Sequence, residues 1–171
     1  IMNKHSILSA GVLCAAVAFS AAAFAGDAKV TWQNSEKYTD IRSGNQSQKS
    51  MLKSIDTSFS KEFSELAEKL PANYHMAVTV TNLDLAGEVD PIPSRMMDQI
   101  RVLKDLYYPK MTFDYQIHNA AGVAVLEGKD LTLKDMQYLS GTRSTQSSDS
   151  FYYERKMIRE WFNKDILPNV K

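Results

Sequence analysis

The sequence predicts an α+β fold, a two-layer sandwich in which two main helices cover one face of a mostly antiparallel sheet of four to six strands. Three observations predict it. Residues 75–82 alternate between apolar and polar side chains, as strands with one buried face do. Residues 111–128 contain two further β-like runs joined by a turn, which is typical of a hairpin. Residues 48–70 and 151–167 carry apolar side chains at helical spacing.

The first 25 residues have the pattern of a secretory signal peptide. Lys4 supplies a positive charge, and an alanine-rich apolar stretch follows over residues 7–23. Ala23-Phe24-Ala25 fits the small-x-small pattern of a cleavage site, so we expect a cut after Ala25 and a periplasmic product. Residues 26–171 are expected to form a single α+β domain. A retained membrane anchor is the alternative, although such anchors are richer in leucine than this stretch is.

Charge and cysteine content narrow the classes of partner. The chain has 20 Lys and Arg against 20 Asp and Glu, so its formal net charge is zero. That balance argues against binding to nucleic acid or to an anionic membrane. Cys14 is the only cysteine and lies in the predicted leader. We therefore expect a cysteine-free mature chain with no disulfide and no cysteine-based metal site.

The mature chain is predicted to begin with a strand and a long helix. Val30-Thr31-Trp32 is β-like, and the polar residues 33–47 that follow indicate a loop. Over residues 48–70, apolar side chains recur every three or four positions; Ser47 or Ser50 suits the N-cap, and Pro71 ends the helix. A crossover through this helix would make the first strand parallel to the strand at 75–82.

The second half of the chain is predicted to hold a short strand, the hairpin and the last helix. Residues 83–94 look irregular and 99–103 look like a short strand. The hairpin strands are 111–118 and 123–128, with Gly122 placed where a turn needs a positive φ. Residues 129–139 leave an extended edge and a helical turn both open.

The end of the chain has one loop and one helix in this interpretation. Residues 140–150 are hydrophilic and are expected to form a loop without the elbow of a serine hydrolase. Asp149 or Ser150 can cap the helix over 151–167, and Pro168 stops it.

An acidic corner follows the strand at 75–82. Asp84, Glu88 and Asp90 lie close together in sequence, and a pair of carboxyl groups across a cleft can perform acid-dependent hydrolysis. The structural alternative is that Asp84 caps the following turn while Glu88 pairs with Arg101 or Lys104. The candidate ligand-binding residues are Asp84, Glu88, Arg101 and Asp105. No catalytic residue is assigned.

Metal binding has a weaker basis. His75 and His118 lie at strand ends and lack the spacing of known zinc motifs. The twelve-residue calcium loop is also absent near Asp84 and Glu88. Exposed or singly bonded imidazoles are the alternative, so no metal ligand and no cofactor is expected.

Several short sequences spread over the mature chain carry a resemblance to a known family. They are Val-Thr-Trp (30–32), Tyr-Thr-Asp-Ile (38–41), Val-Thr-Asn-Leu-Asp-Leu-Ala-Gly-Glu-Val (80–89), Ile-Arg-Val (100–102), Tyr-Pro (108–109), Leu-Lys-Asp-Met-Gln-Tyr (133–138) and Phe-Tyr-Tyr-Glu-Arg-Lys-Met (151–157). With these, the chain resembles a bacterial domain of unknown function, family 3016. The resemblance implies an exported proteobacterial domain and brings no catalytic residues with it.

These observations favour a non-catalytic binding or adaptor module of the cell envelope, whose partner would be another envelope protein. The alternatives are an acid-dependent hydrolase that uses Asp84 and Glu88, and a divalent-metal-binding protein that uses His75 or the acidic corner. The sequence leaves the ligand, the reaction and the oligomeric state open.

Overall fold

The structure is a computed structural model that describes residues 25–41, 47–89, 101–140 and 150–170. Its strands and main helices, in chain order, are β1 (Asp27–Trp32), α1 (Gln48–Ala67), β2 (His75–Asp84), β3 (Glu88–Val89), β4 (Arg101–Val102), β5 (Lys110–His118), β6 (Ala124–Lys134) and α2 (Tyr152–Trp161). Short 3-10 helices span Ser35–Lys37 and Leu167–Asn169, and a π-helical turn spans Phe162–Ile166.

Four strands form one mixed sheet in the order β1-β2-β5-β6. β1 pairs with β2 in parallel, as the predicted helical crossover requires, and the other two pairings are antiparallel. β3 and β4 make a separate two-stranded sheet. The predicted α+β class is therefore confirmed, and β3 is a strand that the sequence pattern did not indicate.

Both helices contribute to the core on one face of the main sheet. The inward side chains of the central strands β2 and β5 and the apolar faces of α1 and α2 belong to one buried cluster, which includes Ile55, Phe59, Phe63, Leu66, Met76, Val78, Val80, Phe113, Ile117, Ile158, Trp161 and Phe162. Side chains on the opposite side of the sheet are exposed, among them Lys29, Ala77, Gln116 and Thr132. This arrangement is the predicted two-layer sandwich, with one face covered and one face open to water.

Helix α1 begins as its sequence predicts. Ser47 is the N-cap and its Oγ accepts a hydrogen bond of 3.2 Å from the backbone N–H of Ser50, which satisfies one of the unpaired donors of the first turn. The regular helix ends at Ala67, three residues earlier than expected. The remaining residues before Pro71 form a turn in which Leu70 N donates to Ala67 O at 2.9 Å.

Strand β2 changes phase partway along its length. Met76, Val78 and Val80 are buried, and then Leu83 is buried instead of residue 82 or 84. A one-residue bulge between Val80 and Asn82 in the pairing with β5 accounts for the change, because the extra residue shifts the side-chain alternation by one position.

The predicted hairpin is confirmed, and its second strand is longer than expected. Gly122 has a φ of +76°, which a residue without Cβ adopts at little cost. β6 continues to Lys134, so most of the ambiguous segment 129–139 is an extended edge, and its last residues form a turn. Two bulges interrupt β6, near Val125 and near Asp130.

Of the two predicted caps of the last helix, Ser150 is wrong. The N-cap of α2 is Phe151, which makes no side-chain capping hydrogen bond; Ser150 precedes it, and Asp149 lies outside the described residues. Pro168 does not stop a regular α-helix either, since α2 has already passed into the π-helical turn and Pro168 lies in the 3-10 helix that follows. A proline near the start of a helical turn is compatible with its missing N–H.

Candidate functional site

The predicted acidic corner is built from the end of β2 and the small β3–β4 sheet. Asp84 is the last residue of β2, Glu88 begins β3, and Arg101 begins β4. A parallel bridge between Asp40 and Asp84 brings a third carboxylate to this place from the loop after β1. Asp90 lies outside the described residues.

Arg101 joins three segments of the corner. Its guanidinium donates to Asp40 Oδ2 at 2.5 Å and to the carbonyl oxygen of Gly87 at 2.8 Å. Gly87 itself has a φ of +79°, and a Cβ there would lie 2.5 Å from the carbonyl oxygen of Val102. A glycine is therefore required for β3 and β4 to approach each other around Arg101.

The remaining acids of the corner face lysines. Asp84 Oδ2 lies 2.9 Å from Lys110 Nζ, and the hydrogen bond that Lys110 donates to this carboxylate raises the pKa of Lys110. Glu88 Oε2 lies 3.8 Å from Lys104 Nζ, in an exposed pair. The Glu88 carboxylate also raises the pKa of the half-buried Tyr107 through hydrogen bonding and charge.

The corner is therefore a set of three ion pairs rather than two carboxylates across a cleft. Of the two partners expected for Glu88, Lys104 is the one in place, while Arg101 bonds to Asp40. Asp105 is exposed in the following turn and adds to the charge near Tyr138, whose pKa is raised mainly by burial. The structure thus brings Asp84, Glu88 and Arg101 into one neighbourhood and associates Asp105 with Tyr138.

The two histidines lie directly opposite each other on neighbouring strands. His75 of β2 and His118 of β5 are register partners, and His75 Nδ1 pairs with the Asp27 carboxylate on β1. Within the described residues, no group of three His, Cys, Asp or Glu side chains is arranged to hold a metal ion. The structure therefore gives the metal-binding alternative no ligand set in this part of the chain.

Sequence reasoning missed two buried carboxylates. Glu62 on α1 is 1% exposed, and Glu154 on α2 is 2% exposed. The Glu62 carboxylate accepts a hydrogen bond of 2.6 Å from Arg155 Nε and one of 3.1 Å from an Arg159 guanidinium nitrogen. The Glu154 carboxylate accepts a hydrogen bond of 2.7 Å from the backbone N–H of Ala86. Such pairing is what allows a charged group to remain in the interior.

Three clefts on the described surface are lined by other residues than Asp84 and Glu88. One of about 210 Å³ lies on the open sheet face, and one of about 520 Å³ lies near the C-terminal segment. The third has a volume of about 400 Å³ and runs along the outer side of α1. Its lining residues are Ser50, Lys53, Ser54, Thr57, Ser58, Lys61 and, from α2, Arg155.

The β6 edge of the sheet is poorly suited to accept a strand from a partner. Bulges near Val125 and Asp130 leave only short regular stretches in β6, and Lys129 and Lys134 place charges along it. Asp130 has a φ of +49° and its N–H bonds to Asp114 Oδ1 at 2.8 Å, which fixes the second bulge. Bulges and charges of this kind protect edge strands from pairing.

Comparison with known proteins identifies one similarity. A sequence family described as "Protein of unknown function (DUF3016)" matches residues 26–164 of this chain. No curated protein and no solved structure is similar enough to match. In the part of the chain that the structure describes, none of the helices combines the length and the apolar character that crossing a bilayer demands.

Proposed function

The chain belongs to the DUF3016 family, and we propose that it is an exported, non-catalytic binding module that holds an anionic ligand of the phosphate class in the cleft between α1 and α2. The lining of that cleft carries the proposal. Lys53, Lys61 and Arg155 are its charged residues, and no carboxylate lines it. In a chain whose total charge is zero, this is a local excess of positive charge, and an anion is its complementary ligand.

Hydroxyl groups lie between these cations. Ser50, Ser54, Thr57 and Lys61 are spaced by four, three and four residues, so they share one face of α1, and Ser58 lies beside them. Ser54 Oγ donates to the Ser50 carbonyl at 3.1 Å, and a hydroxyl can rotate to donate to a ligand oxygen instead. Lysines that supply charge and hydroxyls that supply short hydrogen bonds are suitable for the oxygens of a phosphate group.

The cationic groups differ in how firmly they are held. Arg155 is fixed by its 2.6 Å hydrogen bond to the buried Glu62, so little conformational entropy remains to be lost when a ligand binds beside it. Lys61 lies 3.7 Å from Glu65 in a pair whose side chains are 69% and 49% exposed. Exposed pairs of this kind contribute little free energy, so an anion can displace Glu65 at small cost.

The acidic corner supports the non-catalytic part of the proposal. A hydrolase that used Asp84 and Glu88 would need their carboxylates to face a shared substrate cleft. In the structure Asp84 faces Lys110 and Glu88 faces Lys104, and neither lines one of the three clefts. In this proposal the cleft on α1 binds the ligand, and the acidic corner stabilises the fold.

Titration of the purified protein with inorganic phosphate and with glycerol phosphate, followed by NMR at low salt, tests the ligand class. We expect shifts confined to residues around the cleft, and a loss of affinity of about tenfold when Lys53→Gln and Lys61→Gln are combined. The combination of Lys129→Gln and Lys134→Gln on β6 removes the same two charges elsewhere and serves as the matched control. Equal affinity in the three proteins, or no binding at all, would contradict the proposal.

A second experiment decides whether the phosphate group belongs to a free ligand or to a lipid headgroup. Vesicles that contain phosphatidylglycerol and vesicles of neutral lipid are compared in a sedimentation assay with the same three proteins. Binding to soluble phosphate esters without vesicle binding indicates a free ligand. Binding to the anionic vesicles that depends on Lys53 and Lys61 indicates a lipid headgroup.

Export is tested separately by fractionating bacterial cells that express the full chain. We expect the protein in the periplasmic fraction, and N-terminal sequencing should begin at Gly26. A product that retains the residues before Gly26 would contradict the export part of the proposal and leave the ligand class to the titration.

A further inference from the structure

We infer that cleavage after Ala25 places the new α-ammonium group of Gly26 at the carbonyl end of α1, where its charge stabilises the folded protein. This inference rests on the proposed export, because the charged group exists only after the leader has been removed. Processing would then do more than release the chain, since it would also supply a cation beside the last turn of α1, which contains no basic residue of its own.

The packing around Gly26 carries the first part of the inference. Gly26 is buried, and an added Cβ there would overlap the carbonyl oxygen of Ala67 and lie 3.2 Å from Leu70 Cβ. The nitrogen of any residue is about 2.5 Å from its own Cβ position, so the Gly26 nitrogen lies within about 5 Å of the Ala67 oxygen. The next residue is anchored as well, because Asp27 N donates to the carbonyl of Tyr74 at 3.1 Å.

The charge at the end of α1 carries the second part. The last turn of the helix contains no basic residue, and Glu65 lies within it while Glu68 is the C-cap. The carbonyl groups at a helix C-terminus carry a partial negative charge, which acidic side chains make less favourable and a cation makes more favourable. Ala67 O already accepts a hydrogen bond from Leu70 N, and a carbonyl oxygen has a second lone pair for another donor.

The start of the family match agrees with Gly26 as the first residue of the mature chain. The match begins at residue 26, one residue before β1. While residues precede Gly26, its nitrogen is a neutral amide, which has no net charge to offer the helix. Cleavage converts it into an ammonium group with three donors, within about 5 Å of the Ala67 carbonyl oxygen.

The effect should depend on pH in a defined direction. A free α-amino group has a pKa of about 8 in an unfolded chain, and by linkage a charge that stabilises the folded state must have a higher pKa there. The stabilisation is therefore complete below about pH 8 and is lost as the pH rises through the folded-state value. The other charged groups on the segments packed around Gly26 are Glu68, Lys69, Asp27 and His75.

The test compares two proteins prepared in vitro, so it does not depend on whether cells export the chain. Both begin at Gly26, and one is N-acetylated to remove the charge while the sequence stays the same. We expect the free form to melt about 1–3 °C higher at pH 6.5 and the difference to disappear by pH 10.5. Equal melting temperatures at pH 6.5 would overturn the inference, as would a difference that persists at pH 10.5.

A variant identifies the source of the effect. His75→Gln in both proteins removes the pairing of His75 with Asp27, the residue that follows Gly26. We expect the difference between the free and acetylated forms to survive this change. If it vanishes, the histidine pair is the source and the inference about Gly26 is overturned. N-terminal sequencing of the exported product remains an independent result, which decides the proposed cut rather than the role of the charge.

Discussion

The carboxylate of Glu62 accepts a hydrogen bond of 2.6 Å from Arg155 Nε, and the two residues lie 93 positions apart in the sequence. This contact joins α1 to α2 across the interior of the helical layer. Arg159, one helical turn after Arg155, reaches the same carboxylate at 3.1 Å. The two helices are therefore held together by a buried charge network in addition to their apolar contacts.

Replacing Glu62 should show how much this network contributes. Glu62→Gln keeps the shape of the side chain and removes the anion that Arg155 and Arg159 share. We expect a loss of about 2–4 kcal/mol in the free energy of unfolding, measured by urea denaturation. Glu65→Gln, one turn later on the exposed side, should change it by less than about 0.5 kcal/mol. Similar losses in the two variants would mean that the buried carboxylate has no special role.

The close approach of Tyr115 to Gly128 gives a second prediction. These residues are cross-strand partners in β5 and β6, and a Cβ at position 128 would lie 2.5 Å from Tyr115 Cε1. Gly128→Ala should push the ring away from Trp161, with which it makes an edge contact, and cost about 1–2 kcal/mol.

A double-mutant cycle checks this explanation. In a Tyr115→Leu background the larger ring is gone, so Gly128→Ala should cost less than it does in the native chain. Additive losses would show that the alanine acts on the backbone rather than through the tyrosine.

Tyr38 should make the stability of the protein fall at high pH. Its hydroxyl donates to the carbonyl of Val80 at 2.8 Å, and burial raises the pKa of Tyr38 to about 12. Because the folded-state pKa lies above the unfolded value of about 10, the contribution is complete below pH 10 and is lost as the pH rises to 12.

The comparison of native protein and Tyr38→Phe tests this in urea at pH 8 and pH 11. At pH 8 the variant should be about 1 kcal/mol less stable, because it lacks one hydrogen bond. At pH 11 the difference in stability should be smaller. The Tyr38 hydroxyl of the native chain ionises in the unfolded state at this pH, which lowers the stability of the native chain, and Tyr38→Phe has no hydroxyl to ionise. A gap that stays constant over this range would exclude Tyr38 as the source.

A lysine should not be able to replace Arg101 without a loss of stability. Both contacts, to Asp40 and to the carbonyl of Gly87, come from Nη1 of Arg101, so Arg101→Lys keeps the charge but replaces a rigid planar group with a flexible ammonium that is held less firmly between the two acceptors. We expect a loss of about 1–2 kcal/mol and faster hydrogen exchange at Asp40 N, which bonds to Leu83 O. Lys104→Gln, which breaks the exposed pair with Glu88, should leave that exchange rate unchanged. Equal exchange in the native chain and Arg101→Lys would argue against the bridging role.

The helices and the hairpin could be predicted because local sequence determines them. The apolar spacing of α1, its serine cap and the glycine of the β5–β6 turn all act within a few residues. The end of α1 was placed too late because Leu70 is buried, although it belongs to the turn that follows the helix. An apolar residue near the end of a helix can therefore be buried without being part of the helix.

The charged interior could not be predicted in the same way. Glu62 lies between Phe59 and Leu66 on the apolar side of α1, yet a glutamate at that position is usually exposed. The signal that could have identified it is the pair Arg155 and Arg159, which are four residues apart on a second apolar helix. Because the pairing crosses most of the chain, no local pattern contains it.

The acidic corner was predicted only in part. Asp84 and Glu88 are near each other in sequence, so their proximity was expected. Asp40 arrives through a bridge to β2, and Lys110 arrives through the antiparallel pairing of β5, both of which depend on the assembled sheet. The partners that turn these acids into ion pairs are therefore set by tertiary structure.

The bulge after Val80 makes the length of β2 matter more than the identity of its residues. Before the bulge the inward-facing residues have even numbers, and after it they have odd numbers. A deletion of Thr81 would remove the bulge and leave one continuous alternation in which Leu83 stays inward, whereas a deletion within residues 76–80 would turn the inward residues beyond it to the opposite face. Natural relatives should consequently tolerate exchanges of side chains here far better than the gain or loss of a single codon.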